Sequence, residues 1–208
     1  MSLLRASILG AVDGIITSFT IVASSDAGNE SLQTVLVVGI SSLVSDGLSM
    51  GIGEYLSSRA EKAASDTLLK TYIHKSLNNK DVFSNEVTTF LATKNIRKNN
   101  EIIKLLLNDP LLFYNMNGYS VSLVNPAILG FYCFVSFIIF GSIPLIFYLS
   151  FGSLIYSILA SLFSLFLVGL LEVKKRKSFV TEVLLLGSFC GTVSYFLAVW
   201  LDTNFTVN

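Results

Sequence analysis

The sequence predicts an all-α integral membrane protein with five transmembrane helices and a small cytoplasmic helical insert between helices 2 and 3. Of its 208 residues, 52% are hydrophobic and only 13% are charged. The mean hydropathy of +0.69 is too high for an ordinary soluble domain. Five apolar segments have about the 20 residues that a helix needs to cross a bilayer. They cover residues 6–25, 33–57, 126–149, 154–171 and 179–201.

The basic residues predict how these spans are oriented. All 14 lysines and arginines precede the first span or lie between the second and third or the fourth and fifth. Because cytoplasmic loops are enriched in Lys and Arg, the N-terminus and both basic loops are predicted to be cytoplasmic, and the C-terminus to lie outside or in a lumen. Tyr148, Tyr195 and Trp200 stand near span ends, as expected of an interfacial aromatic belt. A net charge of zero gives no indication of nucleic-acid binding.

The chain divides into three predicted regions. Residues 1–57 hold the first two spans and a metal pathway, residues 58–124 form the insert, and residues 125–208 hold the last three spans. The insert begins as a continuation of the second span, because apolar residues recur at helical spacing up to the pair Asn78-Asn79. Two further helices are predicted over residues 82–92 and 100–107.

The second span carries the most informative pattern, with Asp46, Met50 and Glu54 at four-residue steps. Each step rotates by about 40° and rises by about 6 Å, so these side chains form a slanted stripe on one helix face. A charge at the bilayer centre costs from about 3 to more than 10 kcal/mol. Since no span contains a basic residue to pair with these acids, a function is expected of them. The alternative is that they cap or pair locally within a tight helix bundle.

The first span contributes Asp13, which lies toward the same predicted cytoplasmic end as the stripe. Two antiparallel helices joined by a short loop are neighbours, so a shared cavity is expected. Carboxylates with a thioether favour Fe²⁺, Mn²⁺ or Co²⁺, and a single soft residue disfavours copper. Carboxylates in a low-dielectric site can take up a proton when a cation leaves, which would allow proton antiport. Cys133 and Cys190 are interpreted as small buried hydrophobes, because both lie in apolar stretches.

Small residues predict where helices approach closely. Gly10 and Gly14 form one Gly-x-x-x-Gly pattern and Gly47 and Gly51 another, with Gly53 beside the second. These patterns fit either packing within one chain or a seam between two copies. No nucleophile–base pair, histidine cluster or phosphate loop indicates an enzyme.

Around these residues the chain resembles the vacuolar iron transporter family. The resemblance rests on Asp13-Gly-Ile-Ile-Thr-Ser-Phe, on Ser45-Asp-Gly-Leu-Ser-Met-Gly-Ile-Gly-Glu-Tyr-Leu-Ser, on Asp109-Pro110 and on Pro144 in the third span. It implies a five-helix protomer, a homodimer, and export of Fe²⁺ or Mn²⁺ from the cytosol in exchange for protons. The metal is then the substrate, and no cofactor is expected. The membrane would be that of a vacuole-type organelle or a bacterial inner membrane.

The resemblance also assigns residues. By position, Asp13 and Met50 match the family's translocation-path carboxylate and methionine, and Glu54 matches the acid of its Gly-Glu-Tyr-Leu segment. Asp46 takes the place of a further glutamate that some members carry one turn earlier. The insert departs from the glutamate-rich pattern of the family. Its candidate cytoplasmic metal contacts are Glu61, Glu86, Glu101 and Met116. A non-transporting membrane scaffold or metal sensor of the same fold is the alternative function.

Overall fold

The computed structural model describes residues 3–78, 124–171 and 179–205. Within these residues the chain forms five helices: α1 Leu3–Ala27, α2 Leu32–Asn78, α3 Pro126–Phe151, α4 Leu154–Leu170 and α5 Phe179–Phe205. Four of the five are long and apolar enough to cross a membrane, and α4 is an apolar helix of 17 residues. The predicted all-α membrane fold with five helices is confirmed.

The chain separates into two compact units. One contains residues 2–55 and 127–208, and the other contains residues 56–126 together with residue 1. Helix α2 contributes residues to both and ends at Asn78, as its apolar periodicity predicts. The helices predicted over residues 82–92 and 100–107 lie outside the described residues.

Helix α1 packs against α4 and α5 through interlocking apolar side chains. In α1 the buried residues recur at three- and four-residue steps and so occupy one face of the helix. The cluster consists of Ile8, Ala11, Ile15, Leu165, Val168 and Val183. Ile15 is fully buried at its centre. Among the described residues, α1 also takes part in a second apolar core.

A second core joins α1 to α2 and α3. Its buried members are Val22, Val35, Leu43, Phe137, Leu145 and Tyr148. The Tyr148 hydroxyl donates a 3.0 Å hydrogen bond to Oδ1 of Asp26 at the end of α1. Because Tyr148 is only 5% exposed, its ring is part of the core and does not face the surroundings of the protein. Trp200, by contrast, is 55% exposed.

One short turn connects α1 to α2, and another connects α3 to α4. In the α1–α2 turn, the hydroxyl of Ser31 accepts a 3.1 Å hydrogen bond from the backbone N–H of Thr34, as expected at a helix start. In the α3–α4 turn, Gly152 has φ +62° and its N–H donates to the carbonyl of Tyr148 at 2.8 Å. A left-handed glycine of this kind ends a helix without steric strain.

Candidate metal site

Helices α1 and α3 meet backbone to backbone at two glycines. A Cβ atom built on Gly10 would overlap the carbonyl oxygen of Cys133, and one built on Gly14 would overlap that of Phe137. Only a residue without a side chain permits such an approach. The glycines therefore bring α1 directly against the backbone of α3.

Helix α2 also approaches α3 closely, through one backbone contact and one contact with side chains. A Cβ atom on Gly51 would lie 2.9 Å from the carbonyl oxygen of Gly130, and one on Gly47 would lie 3.1 Å from the Phe137 ring. All four glycines of the two Gly-x-x-x-Gly patterns thus contact α3 of the same chain. Gly53 has no atom of this chain within 4 Å of the position its Cβ would take, so it does not contribute to packing within the single chain.

These contacts bring Asp13 and Asp46 to a similar level of the bundle. Asp13 precedes Gly14 and Asp46 precedes Gly47, and both of these glycines lie against Phe137. The two carboxylates are close enough for their charges to interact. Both side chains are exposed on the surface of the single chain. The structure therefore brings together the two aspartates that the sequence singled out, on an open face.

The stripe on α2 turns from the surface into the interior. Asp46 is exposed, Met50 is half-buried against the core shared by α1, α2 and α3, and Glu54 is buried with 6% exposure. This order follows from the rotation of about 40° at each four-residue step. The three side chains consequently face successively deeper parts of the protein.

Cys133 is a residue of this site that sequence reasoning missed. Its thiol is fully buried and free, and it lies close enough to Asp13 and Glu54 for electrostatic interaction with both. The interpretation as a small buried residue is right about burial but overlooked these neighbours. Cys133 lies near the start of α3, at the same end of the bundle as the acids. That position in the sequence could have indicated its proximity to them. Cys133 is therefore a buried thiol in the electrostatic surroundings of two of the acids.

The donors of this site are spread over three helices. In the part of the chain that the structure describes, no group of three or more His, Cys, Asp or Glu side chains is arranged to hold a metal ion. Glu61 lies half-buried further along α2, where its carbonyl accepts a hydrogen bond from Ser65 at 2.9 Å. The other proposed cytoplasmic contacts, Glu86, Glu101 and Met116, lie outside the described residues.

Comparison with known proteins identifies one matching family. The model of the VIT family matches residues 4–199. Proteins named vacuolar iron transporter from Plasmodium falciparum and Plasmodium berghei are 26% and 25% identical to the chain, over 97% of its length and 83% of theirs. A vacuolar iron transporter of Toxoplasma gondii is 47% identical over 58 residues, which are 28% of this chain and 19% of that protein.

Proposed function

The chain belongs to the VIT family, and from this premise we propose that it transports Fe²⁺ or Mn²⁺ out of the cytosol in exchange for protons. The observation that carries the proposal is that Asp13 and Asp46 lie at one level of two helices that can span a membrane, close enough for their charges to interact. Two carboxylates in such an environment repel each other, and a divalent cation between them turns repulsion into attraction. The names of the relatives, which refer to iron, support the choice of cargo.

The stripe of Asp46, Met50 and Glu54 on α2 supplies the route of the metal ion in this proposal. With the N-terminus in the cytosol, α2 runs toward the cytoplasm, so Glu54 is nearest the cytosol and Asp46 lies deeper in the membrane. A cation from the cytosol would meet Glu54, then Met50, and then the two aspartates. The thioether of Met50 favours a transition metal over Mg²⁺ or Ca²⁺, and the thiol of Cys133 adds a second soft atom beside two of the acids.

Proton exchange follows from the chemistry of the same carboxylates. When the cation leaves, two adjacent carboxylates lose the charge that offsets their repulsion. Protonation of one of them restores a stable arrangement in a medium of low dielectric constant. Release of the metal and uptake of a proton are therefore coupled at Asp13 and Asp46.

A second copy of the chain completes the site in this proposal. Asp13 and Asp46 are exposed on the single chain although they lie within helices that can span a membrane. Charged side chains in such helices face a bundle interior or an aqueous cavity, because contact with lipid is unfavourable. A homodimer that covers this face would remove both aspartates from lipid. It would also place a second pair of carboxylates near the first.

The location follows from charge and from the relatives. The N-terminus and residues 58–124 face the cytosol in this proposal, because every basic residue lies on that side of the predicted spans. The relatives are named for the vacuole, which favours a vacuole-type organelle membrane over a bacterial inner membrane.

Reconstitution into liposomes tests the function. Flux of Fe²⁺ and Mn²⁺ should depend on a pH gradient and should be lost in Asp46→Asn, which removes the charge but keeps the shape. Glu30→Gln, which removes an acid from the exposed α1–α2 turn, is the matched control and should transport normally. Unchanged flux in Asp46→Asn would exclude this pathway. Stoichiometric metal binding without any flux would instead favour the scaffold or sensor function.

A further inference from the structure

The connection between α3 and α4 differs in chemistry from the connection between α1 and α2. We call residues 147–156 the α3–α4 tip. Residues 126–171, which include both helices and the tip, contain no charged residue. The α1–α2 turn carries Glu30 beside Asn29, whereas Asp26 in the last turn of α1 accepts a hydrogen bond from Tyr148 of the tip. Because successive spans alternate in direction, both connections lie on the same, non-cytoplasmic side of the membrane.

The α3–α4 tip exposes large apolar side chains. Phe147 is 41% exposed, Phe151 57%, Ile155 65% and Tyr156 46%. Three of them form a continuous aromatic row, since the ring centres of Phe147 and Phe151 are 6.1 Å apart and those of Phe151 and Tyr156 are 4.5 Å apart. Contact with water would be unfavourable by about 25 cal/mol for each Å² of this surface. An apolar partner at the tip is therefore expected.

The backbone of the tip suits an apolar environment as well. Only Gly152 and Ser153 separate the two helices. The N–H of Gly152 is hydrogen-bonded to the carbonyl of Tyr148 at 2.8 Å. A connection this short leaves few backbone groups without helical partners, and unsatisfied groups are what exclude most loops from lipid.

Helix length places the tip at the edge of the bilayer. Helix α3 has 26 residues, which gives about 39 Å at a rise of about 1.5 Å per residue. A bilayer measures about 40–45 Å when its headgroups are included. Helix α1, with 25 residues, reaches almost as far. The two connections therefore lie at similar distances from the bilayer centre. Their residue composition then determines which of them is in contact with lipid and which with water.

We propose that the α3–α4 tip remains embedded in the boundary between acyl chains and headgroups of the non-cytoplasmic leaflet, while the α1–α2 turn lies in water. The partner is phospholipid, bound through its acyl chains by the aromatic row. The inference rests on the membrane-spanning helices and on the orientation that the basic residues predict, and it does not depend on the transported cargo.

A groove beside the tip extends the same surface. It measures about 300 Å³, begins at Leu154 and lies between α1, α4 and α5. The hydroxyls of Ser161 and Thr192 in its wall donate to carbonyls of their own helices, at 2.6 and 2.7 Å. Apart from Ser188 and Tyr195, the remaining lining residues are glycines and apolar side chains, so the groove is mostly apolar and suits an acyl chain.

Two single-cysteine additions distinguish the two connections. Ser150→Cys lies in the last turn of α3 and Glu30→Cys in the α1–α2 turn, and both positions are exposed on the protein. In proteoliposomes with a membrane-impermeant maleimide on both sides, Glu30→Cys should react at least about tenfold faster, because polar reagents are excluded from apolar media. The parent chain, which retains Cys133 and Cys190, gives the background.

A second measurement identifies lipid as the protecting partner. Both variants are labelled with membrane-permeant bimane, and quenching by phospholipids brominated on their acyl chains is recorded. The bimane signal should be strongly quenched in Ser150→Cys and weakly quenched in Glu30→Cys. Phe151→Cys repeats the test should Ser150→Cys fold poorly. Equal maleimide rates would overturn the proposal, and so would a protected Ser150→Cys whose bimane is not quenched, because protein packing would then be the cause.

Discussion

Helix α1 has two contact faces that hold the protein together in different ways. Toward α3, Gly10 and Gly14 bring one backbone against another. Toward α4 and α5, Ile8, Ala11 and Ile15 interlock with apolar side chains. Side chains can change rotamer to absorb a shift, whereas a backbone contact cannot. Asp13 stands beside the glycine face, so its position is set by the more rigid of the two contacts.

The largest effect on metal flux is expected from a substitution of Asp13, which lies beside the face of α1 that carries Gly10 and Gly14. Asp13→Asn should reduce metal flux in proteoliposomes by more than about tenfold, because it removes one of the negative charges that would attract the divalent cation. The loss should appear without a change in the amount of folded protein. Flux close to that of the parent chain would show that this face has no part in transport.

The next largest effect concerns the glycine face itself. Gly14→Ala should lower the free energy of unfolding by about 1–3 kcal/mol, because its Cβ would overlap the carbonyl of Phe137. Gly53→Ala is the matched control, since nothing lies within 4 Å of its Cβ position. It should be neutral or stabilising by up to about 1 kcal/mol through helix propensity. Thermal unfolding followed by size-exclusion chromatography measures both, and equal melting temperatures would contradict the backbone contact.

The face of α1 that packs against α4 and α5 should tolerate a smaller side chain without loss of transport. Ile15→Val removes one methylene from a fully buried site and should cost about 0.5–1.5 kcal/mol of stability. Because the acids are not displaced, flux per folded molecule should equal that of the parent chain. A fall in flux comparable to that of Asp13→Asn would mean that the two faces are not independent.

The smallest effect is expected far from the glycines, where Tyr148 joins α3 to the end of α1. Tyr148→Phe removes the hydrogen bond to Asp26 and should reduce stability by about 1 kcal/mol or less. Tyr156→Phe, at an exposed position, keeps its ring contact with Phe151 and should leave the melting temperature unchanged. Identical melting temperatures for the two variants would show that the bond does not stabilise the helix pair.

The helices could be predicted from the sequence more completely than the contacts between them. Apolar segments indicated all five helices, and the same periodicity carried α2 to Asn78. The structure also places Asp13 near Asp46, as expected for antiparallel helices joined by a short loop. The neighbours of Cys133 and Tyr148 on other helices were not predicted, because each residue was judged from its own segment. Their partners, Glu54 and Asp26, are on other helices, and one sequence does not reveal how those helices are rotated.

The sequence by itself determined the properties that depend on neighbours along the chain. These are the apolar helices, the continuation of α2 and the spacing of Asp46, Met50 and Glu54, since hydropathy and helical period are local. Only the tertiary structure decided that the four glycines face α3, that Asp46 is exposed while Glu54 is buried, and that Cys133 lies near two acids. Those outcomes depend on the rotation of each helix about its axis, which the packing of side chains and backbones between helices determines.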